Sequence, residues 1–235
     1  MQSVMKKIKQ KCELNEKIFL AGGGGASDSI HLDKKFVSLL NLNKPLIYIP
    51  IAMISKPYEE CYAWFKSVFL PSGVKKIEML TNLVDINEKK IDDSAGIYIG
   101  GGDTVKLLKE IRKSKFDKYL IDHIKQGKPV YGGSAGAIVL GFDIRTAPEA
   151  QNLDEKEAKG INAIFGYSVY AHYNPSKVDI MEISKKYKTP IIAIPERSGA
   201  YIEGRKIEAV GFEPLYLTTE NEIVSLSPGQ KFELI

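Results

Sequence analysis

The stretch Tyr131-Gly132-Gly133-Ser134-Ala135-Gly136-Ala137 follows an apolar, strand-like segment and precedes residues that can open a helix. Small residues on both sides of the serine allow the backbone to turn sharply and leave the side chain exposed at the apex of the turn. The spacing Gly-x-Ser-x-Gly therefore predicts a strand–turn–helix junction that presents Ser134 as a nucleophile. On spacing alone, a small-residue turn with an incidental serine is the alternative.

Outward from this stretch, short apolar runs alternate with helical patterns. Near-continuous hydrophobicity predicts strands that are buried on both faces of a parallel sheet, at 17–21, 45–51, 76–80, 96–99 and 129–131. Apolar residues at helical spacing predict helices at about 28–41, 57–69 and 103–126. Alternating strands and helices imply right-handed crossovers, so the expected fold is α/β, with a mostly parallel, doubly wound sheet covered by helices on both faces.

After about residue 188 the pattern changes to closely spaced strands. The strand-like runs lie at 191–194, 200–203, 207–210 and 215–217, with turn residues at Gly204-Arg205 and Gly211. This pattern predicts a small antiparallel extension at the C-terminal end of the same domain. Since neither a linker-like stretch nor an internal repeat is present, we expect residues 1–235 to form a single domain.

Composition excludes several classes of protein. The 235 residues are 44% hydrophobic and 26% charged, with a net charge of +4, and no run approaches the ~18 apolar residues of a membrane span. Cys12 and Cys61 show no metal-type or disulfide-framework spacing. The basic N-terminus lacks the apolar region of a signal peptide, so a cytoplasmic protein is expected. The basic pairs at 6–7 and 185–186 are interpreted as solvated surface, and we expect neither a membrane nor a nucleic-acid partner.

A nucleophilic serine needs a base, and the chain contains three histidines. His123 falls within the expected helix 103–126 and is interpreted as a surface residue. His31 lies early in the first helix, where a structural role near the helix cap is favoured. His172 follows a strand-like run and precedes Asn174-Pro175, which predicts a loop at the carboxyl end of a strand, where open α/β sheets bind ligands. His172 is therefore the preferred general base.

Two carboxylates are candidates for orienting the imidazole. Glu196 follows a buried strand in Ile194-Pro195-Glu196, and Glu149 lies in a loop after Pro148. An oxyanion hole needs two converging backbone N–H groups. One is expected from Ala135, directly after the serine, and the second from the glycine-rich turn at 100–104.

These motifs together resemble a known family. The segments Tyr98-Ile99-Gly100-Gly101-Gly102-Asp103-Thr104 and Tyr131–Ala137, with Gly100 and Ser134 separated by 34 positions, are similar to the peptidase E (aspartyl dipeptidase) family of serine peptidases, which is related to cyanophycinase. The resemblance continues through Ala171-His172-Tyr173-Asn174 and Ile194-Pro195-Glu196 and spans about 96–203. It implies a three-layer α/β/α sandwich like that of class I glutamine amidotransferases. It also implies a metal-independent peptidase that needs no cofactor.

The resemblance also implies roles for individual residues. Ser134 would be the nucleophile, His172 the base and Glu196 the triad glutamate. Glu149 falls where relatives often carry an aspartate that is also implicated in activity. Gly102 and Ala135 would supply the oxyanion N–H groups. The implied substrate is a small peptide, cleaved in dipeptidase or exopeptidase fashion by a monomer or homodimer.

Departures from the family pattern leave the substrate side chain open. Ala171 precedes the histidine where a proline is expected, and the stretch 175–188 lacks the arginine-bearing segment associated with a preference for N-terminal Asp. One alternative function is therefore a catalytically silent relative that acts as a binding protein.

A second alternative is a nucleotide-binding domain that uses Gly22–Gly25. No Gly-x-Gly-x-x-Gly pattern is completed there, because Ser27 or Asp28 occupies the third glycine position. These glycines are better interpreted as one rim of the active-site cleft.

Overall fold

The structure is a computed structural model that describes residues 15–84, 86 and 88–235. The strands are β1 (Lys17–Ala21), β2 (Leu46–Ile49), β3 (Ile77–Met79), β4 (Gly96–Ile99), β5 (Val130–Gly133), β6 (Ser168–Ala171), β7 (Ile191–Ile194), β8 (Ser198–Glu203), β9 (Lys206–Gly211), β10 (Leu215–Thr218), β11 (Ile223–Leu226) and β12 (Lys231–Glu233). The helices are α1 (Ala26–Ser38), α2 (Tyr58–Phe69), α3 (Glu88–Asp92), α4 (Thr104–Lys113), α5 (Phe116–Lys125), α6 (Ala135–Leu140) and α7 (Ile180–Tyr187), with a 3-10 turn at Pro148–Ala150.

The main sheet has eight strands in the order β12-β9-β8-β1-β5-β4-β2-β3. The five strands from β1 to β3 in this order are parallel, and β8 joins the edge of β1 in antiparallel orientation. Helices pack on both faces, which confirms the expected three-layer α/β fold with a mostly parallel sheet. Because β1, β5 and β4 are central, their carboxyl ends meet at the middle of one sheet edge.

The two faces of this sheet differ in chemistry because side chains alternate along each strand. On β1, Ile18 and Leu20 face an aliphatic core that also receives α4, α5 and α6. Phe19 faces the opposite layer, where α1 and α2 bury aromatic side chains. The buried rings of this aromatic layer are Phe19, Phe36, Tyr48, Phe65, Phe69, Tyr98, Tyr131 and Tyr201. Each ring removes a large apolar area from water, and burial of a Phe side chain contributes roughly 1.5–3 kcal/mol to stability.

The C-terminal strands are antiparallel as expected, but they divide between two sheets. β8 and β9 pair with each other and extend the main sheet. A second sheet has the order β11-β10-β7-β6, in which β6 and β7 are parallel. All four residues of β7 are buried, so this strand needs a neighbour on both edges and finds them in β6 and β10. The carboxyl ends of β6 and β7 face the same edge as that of β5.

The expected single helix over 103–126 is wrong, because the chain forms two helices. α4 ends at Lys113, and Lys115 adopts a left-handed conformation with φ of 58° before α5 begins at Phe116. Ile111 and Phe116 are both fully buried, yet a spacing of five residues cannot keep them on one face of a continuous helix. The break rotates α5 so that Phe116, Leu120 and Ile124 all reach the aliphatic core.

Several smaller features also differ from or extend the expectations. α3, α7, β11 and β12 were not anticipated, and the strand expected at 76–80 is limited to Ile77–Met79. Lys185 and Lys186 are exposed as expected. Cys61 is a buried free thiol, whereas Cys12 and the basic pair at 6–7 lie outside the described residues. None of the helices in the described part of the chain is both long and apolar enough to cross a bilayer. The single-domain organisation stays a prediction.

One carboxyl group lies within the aromatic layer. Asp33 on α1 is 6% exposed and accepts hydrogen bonds from the hydroxyls of Tyr131 (2.8 Å) and Ser29 (2.8 Å). Burial raises the pKa of Asp33 to about 6, and the two hydrogen bonds oppose this shift only in part. The folded protein therefore favours the protonated carboxyl more than the unfolded chain does.

This shift predicts a pH-dependent stability difference between the protein and its Asp33→Asn variant. The contribution of Asp33 to stability is fully present below the unfolded-state pKa of about 4 and is lost as the pH rises through about 6. Relative to the variant, the protein should lose about 2 kcal/mol of unfolding free energy between pH 4 and pH 7. Urea unfolding at both pH values measures the difference, and a constant difference would contradict the assignment.

Candidate active site

Ser134 occupies a one-residue junction between β5 and α6. Its backbone has φ of 51° and ψ of −113°, a region that residues other than glycine rarely adopt and that costs about 1–3 kcal/mol. The Ser134 N–H donates to the carbonyl of Ala21 at 3.2 Å, which ties the junction to the end of β1. The expected strand–turn–helix arrangement is present at Ser134.

Close packing between backbones holds this junction in place. A Cβ atom on Gly136 would lie 2.2 Å from the carbonyl oxygen of Ile99, and one on Gly132 would lie 2.5 Å from the carbonyl oxygen of Gly136. Both distances are far below a van der Waals contact. The first turn of α6 therefore packs directly against the backbone of β4 and β5, which only glycine permits at these positions.

His172 follows β6 and also has a left-handed backbone, with φ of 53°. Its N–H donates to the carbonyl of Gly22 at 2.8 Å, and its Nε2 lies 2.8 Å from Ser134 Oγ. A Cβ atom on Gly23 would lie 2.3 Å from Cε1 of the His172 ring, so the missing side chain makes the space for the imidazole. The turn after β1 thus binds the backbone of His172 and clears room for its ring.

Glu196 completes a chain of side-chain hydrogen bonds. Its Oε1 lies 3.0 Å from His172 Nδ1, and the side chains of His172 and Glu196 are 47% and 62% exposed. A carboxylate oxygen accepts hydrogen bonds, so Nδ1 carries the ring proton and its N–H donates a hydrogen bond to Glu196 Oε1. In the neutral ring, Nε2 is then the acceptor that faces the serine hydroxyl.

The glycine-rich turn after β4 lies against the other side of Ser134. Gly102 is exposed with φ of 137°, and a Cβ atom there would lie 2.2 Å from the carbonyl oxygen of Ala52. The N–H of Ala135 belongs to the first residue of α6, where no acceptor exists within the helix. Among the described residues neither N–H has a backbone acceptor, so both are available to a ligand.

Glu149 lies in the same region, but among the described residues its hydrogen bond goes to Thr104 and not to His172 or Glu196. Its Oε1 accepts a hydrogen bond from the backbone N–H of Thr104 at 2.8 Å, at the start of α4. It lines a cavity of about 440 Å³ that also contains Ser134, His172 and Gly102. Of the two carboxylates considered for orienting His172, the structure brings Glu196 to the imidazole and Glu149 to the glycine-rich turn.

The other two histidines lie away from Ser134. His123 was expected at the surface, which is wrong: it is 1% exposed, because the break after α4 rotates this part of α5 inward. Burial lowers the pKa of His123 to about 3, so the ring stays neutral in the folded protein. His31 is exposed on α1 and packs on Phe212, with ring centroids 4.6 Å apart.

The glycine run at 22–25 forms one rim of the cleft, as expected. Gly23, Gly24 and Gly25 line a second cavity of about 410 Å³ that opens beside Ser134. The carboxylate of Asp28 accepts a hydrogen bond from the N–H of Gly25 at 2.9 Å and therefore occupies the N-terminus of α1. A phosphate at that helix end would meet a like charge, which disfavours nucleotide binding there.

The aromatic lining of this cavity was not anticipated. Tyr48, Tyr98, Tyr131, Cys61 and Trp64 line it together with the glycines. They come from three strands and α2, and Trp64 is exposed whereas the other four are buried. Tyr98 and Tyr131 begin the two motif segments quoted above, but their role as pocket lining depends on the order of the strands, which brings them together with Tyr48 and α2.

Comparisons with known proteins identify the family of this chain. The model of Peptidase family S51 matches residues 18–210. This chain belongs to peptidase family S51. It is therefore a serine-type peptidase, which is a hydrolase, and the resemblance to peptidase E noted from the motifs is confirmed.

Among the relatives, the peptidase E of Shewanella baltica strain OS185 is 26% identical over 196 residues, which cover 77% of this chain and 81% of that protein. The peptidase E of Shewanella oneidensis is 27% identical over 188 residues and covers 73% and 76%.

Two solved structures share the fold. A peptidase from an acI-B1 Actinobacterium has a TM-score of 0.75 at 18% identity, covering 93% of this chain and 97% of that one. A protein assigned as a peptidase E from Listeria monocytogenes EGD-e has a TM-score of 0.62 at 23% identity, covering 83% and 97%.

The packing around the Ser134 junction yields a stability prediction for this S51 peptidase. Gly136→Ala places a methyl group against the Ile99 carbonyl, so the unfolding free energy should fall by about 1–3 kcal/mol. Gly25→Ala is the matched control, because Gly25 has φ of −72° and an added Cβ meets nothing closer than 3.6 Å. Chemical unfolding of both variants measures the difference, and equal stability would contradict the packing argument.

Proposed function

We propose that this S51 peptidase hydrolyses small peptides through an acyl-enzyme formed on Ser134. The observation that carries the proposal is the continuous chain of hydrogen bonds from Ser134 Oγ to His172 Nε2 (2.8 Å) and from His172 Nδ1 to Glu196 Oε1 (3.0 Å). A serine hydroxyl is a weak nucleophile unless an adjacent base accepts its proton, and a third group must hold that base. This geometry supplies both.

In the first half of the reaction, Ser134 Oγ attacks the carbonyl carbon of the scissile peptide bond while His172 Nε2 takes the hydroxyl proton. Glu196 acts as a positioning residue, since it fixes the imidazole tautomer and stabilises the imidazolium. The tetrahedral intermediate places negative charge on the former carbonyl oxygen. The N–H groups of Gly102 and Ala135 would donate to that oxygen.

The tetrahedral intermediate then collapses and the C–N bond breaks. His172 returns its proton to the leaving amine, which departs with a free amino group. In the second half a water molecule loses a proton to His172 and attacks the acyl carbon. The ester bond to Ser134 breaks, the serine regains its proton, and the carboxylic acid product leaves.

The local structure supports the role of nucleophile elbow for the Ser134 junction. A serine on a strained turn between a strand and a helix is typical of such elbows, and Ser134 is half-buried there with its side chain lining both flanking cavities. The N-terminus of α6 would face the developing charge. Two cavities of about 410 and 440 Å³ flank Ser134, which suits a substrate with one group on each side of the scissile bond. Short peptides cleaved in dipeptidase or exopeptidase fashion fit this arrangement.

The intact series of hydrogen bonds favours an active peptidase over a catalytically silent relative. A protein without catalytic function has no need to maintain strained backbone conformations at both Ser134 and His172. Cytoplasmic location and a monomeric or homodimeric state stay predictions.

The decisive experiment is turnover of a panel of Xaa-Leu dipeptides by the wild type and Ser134→Ala. The variant lacks the attacking oxygen, so kcat/KM should fall by about 10³-fold or more for every cleaved peptide. Circular dichroism should show an unchanged fold. Ser38→Ala, which removes a hydroxyl at the end of α1, is the matched control and should keep full activity. Near wild-type turnover by Ser134→Ala would refute the mechanism, and labelling of the serine by a fluorophosphonate would support it.

The two glutamates should respond differently to substitution. Glu196→Gln keeps an oxygen for Nδ1 but removes the charge, so kcat should fall by about 10²-fold. This is less than the roughly 10⁴-fold loss expected for a fully buried triad carboxylate, because the Glu196 side chain is 62% exposed.

At Glu149 the hydrogen bond to the glycine-rich turn, and not the negative charge, should determine activity. Glu149→Gln keeps an acceptor for the Thr104 N–H, so it should lose less activity than Glu149→Ala, which releases the glycine-rich turn. Steady-state kinetics of all three variants provide the comparison. A loss in Glu149→Gln as large as that in Glu196→Gln would mean that the charge of Glu149 takes part in the chemistry.

A further inference from the structure

The cavity of about 410 Å³ beside Ser134 has a distinct lining, which we call the aromatic pocket. Its side-chain walls are Tyr48, Met53, Cys61, Trp64, Tyr98 and Tyr131. The cavity on the other side of Ser134 contains Glu149, Thr104 and Thr146 instead. The two sides of the nucleophile therefore differ in chemistry, and the aromatic side has no assigned ligand.

The floor of the aromatic pocket is rigid because its tyrosines are stacked within the aromatic layer of the core. Tyr98 stacks on Tyr131 with ring centroids 4.4 Å apart, and Tyr48 stacks on Phe65 at 4.0 Å. All three tyrosines are at least 93% buried. A floor of this kind is preorganised, so a ligand side chain that packs on it does not have to order it first.

Glycines keep the pocket open toward the nucleophile. Gly100, Gly101 and Gly133 line the side next to Ser134, and Gly23–Gly25 line the opposite rim. A Cβ atom on Gly133 would lie 3.1 Å from the hydroxyl of Tyr98, and one on Gly101 would lie 3.1 Å from Ser134 Cβ. Side chains at these positions would therefore fill the space between the aromatic floor and the serine.

In the described part of the chain, the lining of the pocket offers an acidic ligand no cation that is unopposed by a neighbouring acid. Lys56 and Glu60 are exposed lining residues of opposite sign, and no arginine is among the described residues that line the pocket. Behind the floor, Asp33 accepts a hydrogen bond from the Tyr131 hydroxyl. A substrate carboxylate would lose water in an aromatic cavity without a guanidinium partner and with a buried acidic group nearby.

An uncharged aromatic ring, unlike a carboxylate, suits the lining of this pocket. It loses unfavourable contact with water when it enters the pocket, and offset or edge-to-face packing on tyrosine rings adds a geometric preference. The exposed polar side chains of Lys56 and Glu60 line the same pocket, so a phenol as well as a phenyl ring finds polar groups there.

We propose that the aromatic pocket binds an uncharged aromatic side chain, that of Phe or Tyr, from a peptide residue adjoining the scissile bond. The proposal rests on the proposed function, since it uses Ser134 as the point of cleavage. The aromatic pocket then selects against peptides that carry an acidic residue at this position beside the scissile bond. Trp64 and the glycine rim are then specificity-determining elements.

The test compares kcat/KM for two sets of dipeptides, because the pocket can receive the residue on either side of the bond. One set is Phe-Leu, Tyr-Leu, Ala-Leu and Asp-Leu, and the other is Leu-Phe, Leu-Tyr, Leu-Ala and Leu-Asp. At one of the two positions, Phe and Tyr should exceed Ala by about tenfold or more, and Asp should be the poorest. A preference for Asp, or rates independent of the side chain at both positions, would overturn the proposal.

Two variants localise the preference to the pocket. Gly25→Trp adds a bulky group at the rim, where φ of −72° and an open Cβ position allow it to fold. It should reduce kcat/KM for the Phe peptide at least tenfold more than that for the Ala peptide. Trp64→Ala removes an exposed wall from α2 and should reduce the Phe-to-Ala ratio several-fold.

Leu70→Ala is the matched control for Trp64→Ala, because Leu70 is a 45% exposed apolar residue at the end of the same helix and does not line the pocket. It should leave the ratio unchanged. Thermal unfolding identifies any variant that fails to fold, and Trp64→Ala alone still decides the question if Gly25→Trp does not. A ratio that is unchanged in folded pocket variants refutes the proposal.

The same data separate this proposal from the proposed function. If peptides are cleaved in a Ser134-dependent manner but without aromatic preference, only the role of the pocket fails. If Ser134→Ala cleaves the panel as well as the wild type does, the proposed mechanism fails first.

Discussion

The rest of the active site depends on the contact between the first turn of α6 and the backbone of β4. Gly136 lies so close to the Ile99 carbonyl that even a methyl group would not fit, and Gly132 lies equally close to Gly136. This contact holds Ser134 in a conformation that its own side chain disfavours. It also places the N-terminus of α6 beside the serine and next to the glycine-rich turn after β4. Serine, helix end and turn are thus positioned by one packing constraint.

The parts of the site that could be predicted from the sequence are those that depend on residues adjacent in the chain. The sharp turn at Ser134, the loop position of His172 and the rim formed by Gly22–Gly25 each follow from small residues or from residues next to strand ends. The family motifs added the order in which these pieces occur. Their distances could not be predicted, because those depend on β1 lying between β5 and β8 in the sheet.

The helix break, the burial of His123 and the aromatic pocket were missed because each depends on packing between residues that are distant in the sequence. The break between α4 and α5 depends on a spacing of five residues between two core positions, and the polar residues between them do not signal it. His123 was misplaced because its burial follows from that break. The aromatic pocket could not be anticipated because Tyr48 and Trp64 have ordinary strand and helix surroundings in the sequence, and the motifs that contain Tyr98 and Tyr131 do not indicate which side chains lie beside them. Only strand order brings them to the same place.

The hydrogen-bond chain crosses the seam between the two sheets. Ser134 stands at the end of β5 in the main sheet, whereas His172 and Glu196 follow β6 and β7 in the second sheet. The backbone hydrogen bond from the His172 N–H to the Gly22 carbonyl spans this seam. The serine–imidazole contact therefore reports how well the two sheets are docked. A displacement of one sheet relative to the other by about an ångström would break the contact between Ser134 and His172 while every strand and helix remained intact. Activity would then be lost without a change in the far-ultraviolet circular dichroism spectrum.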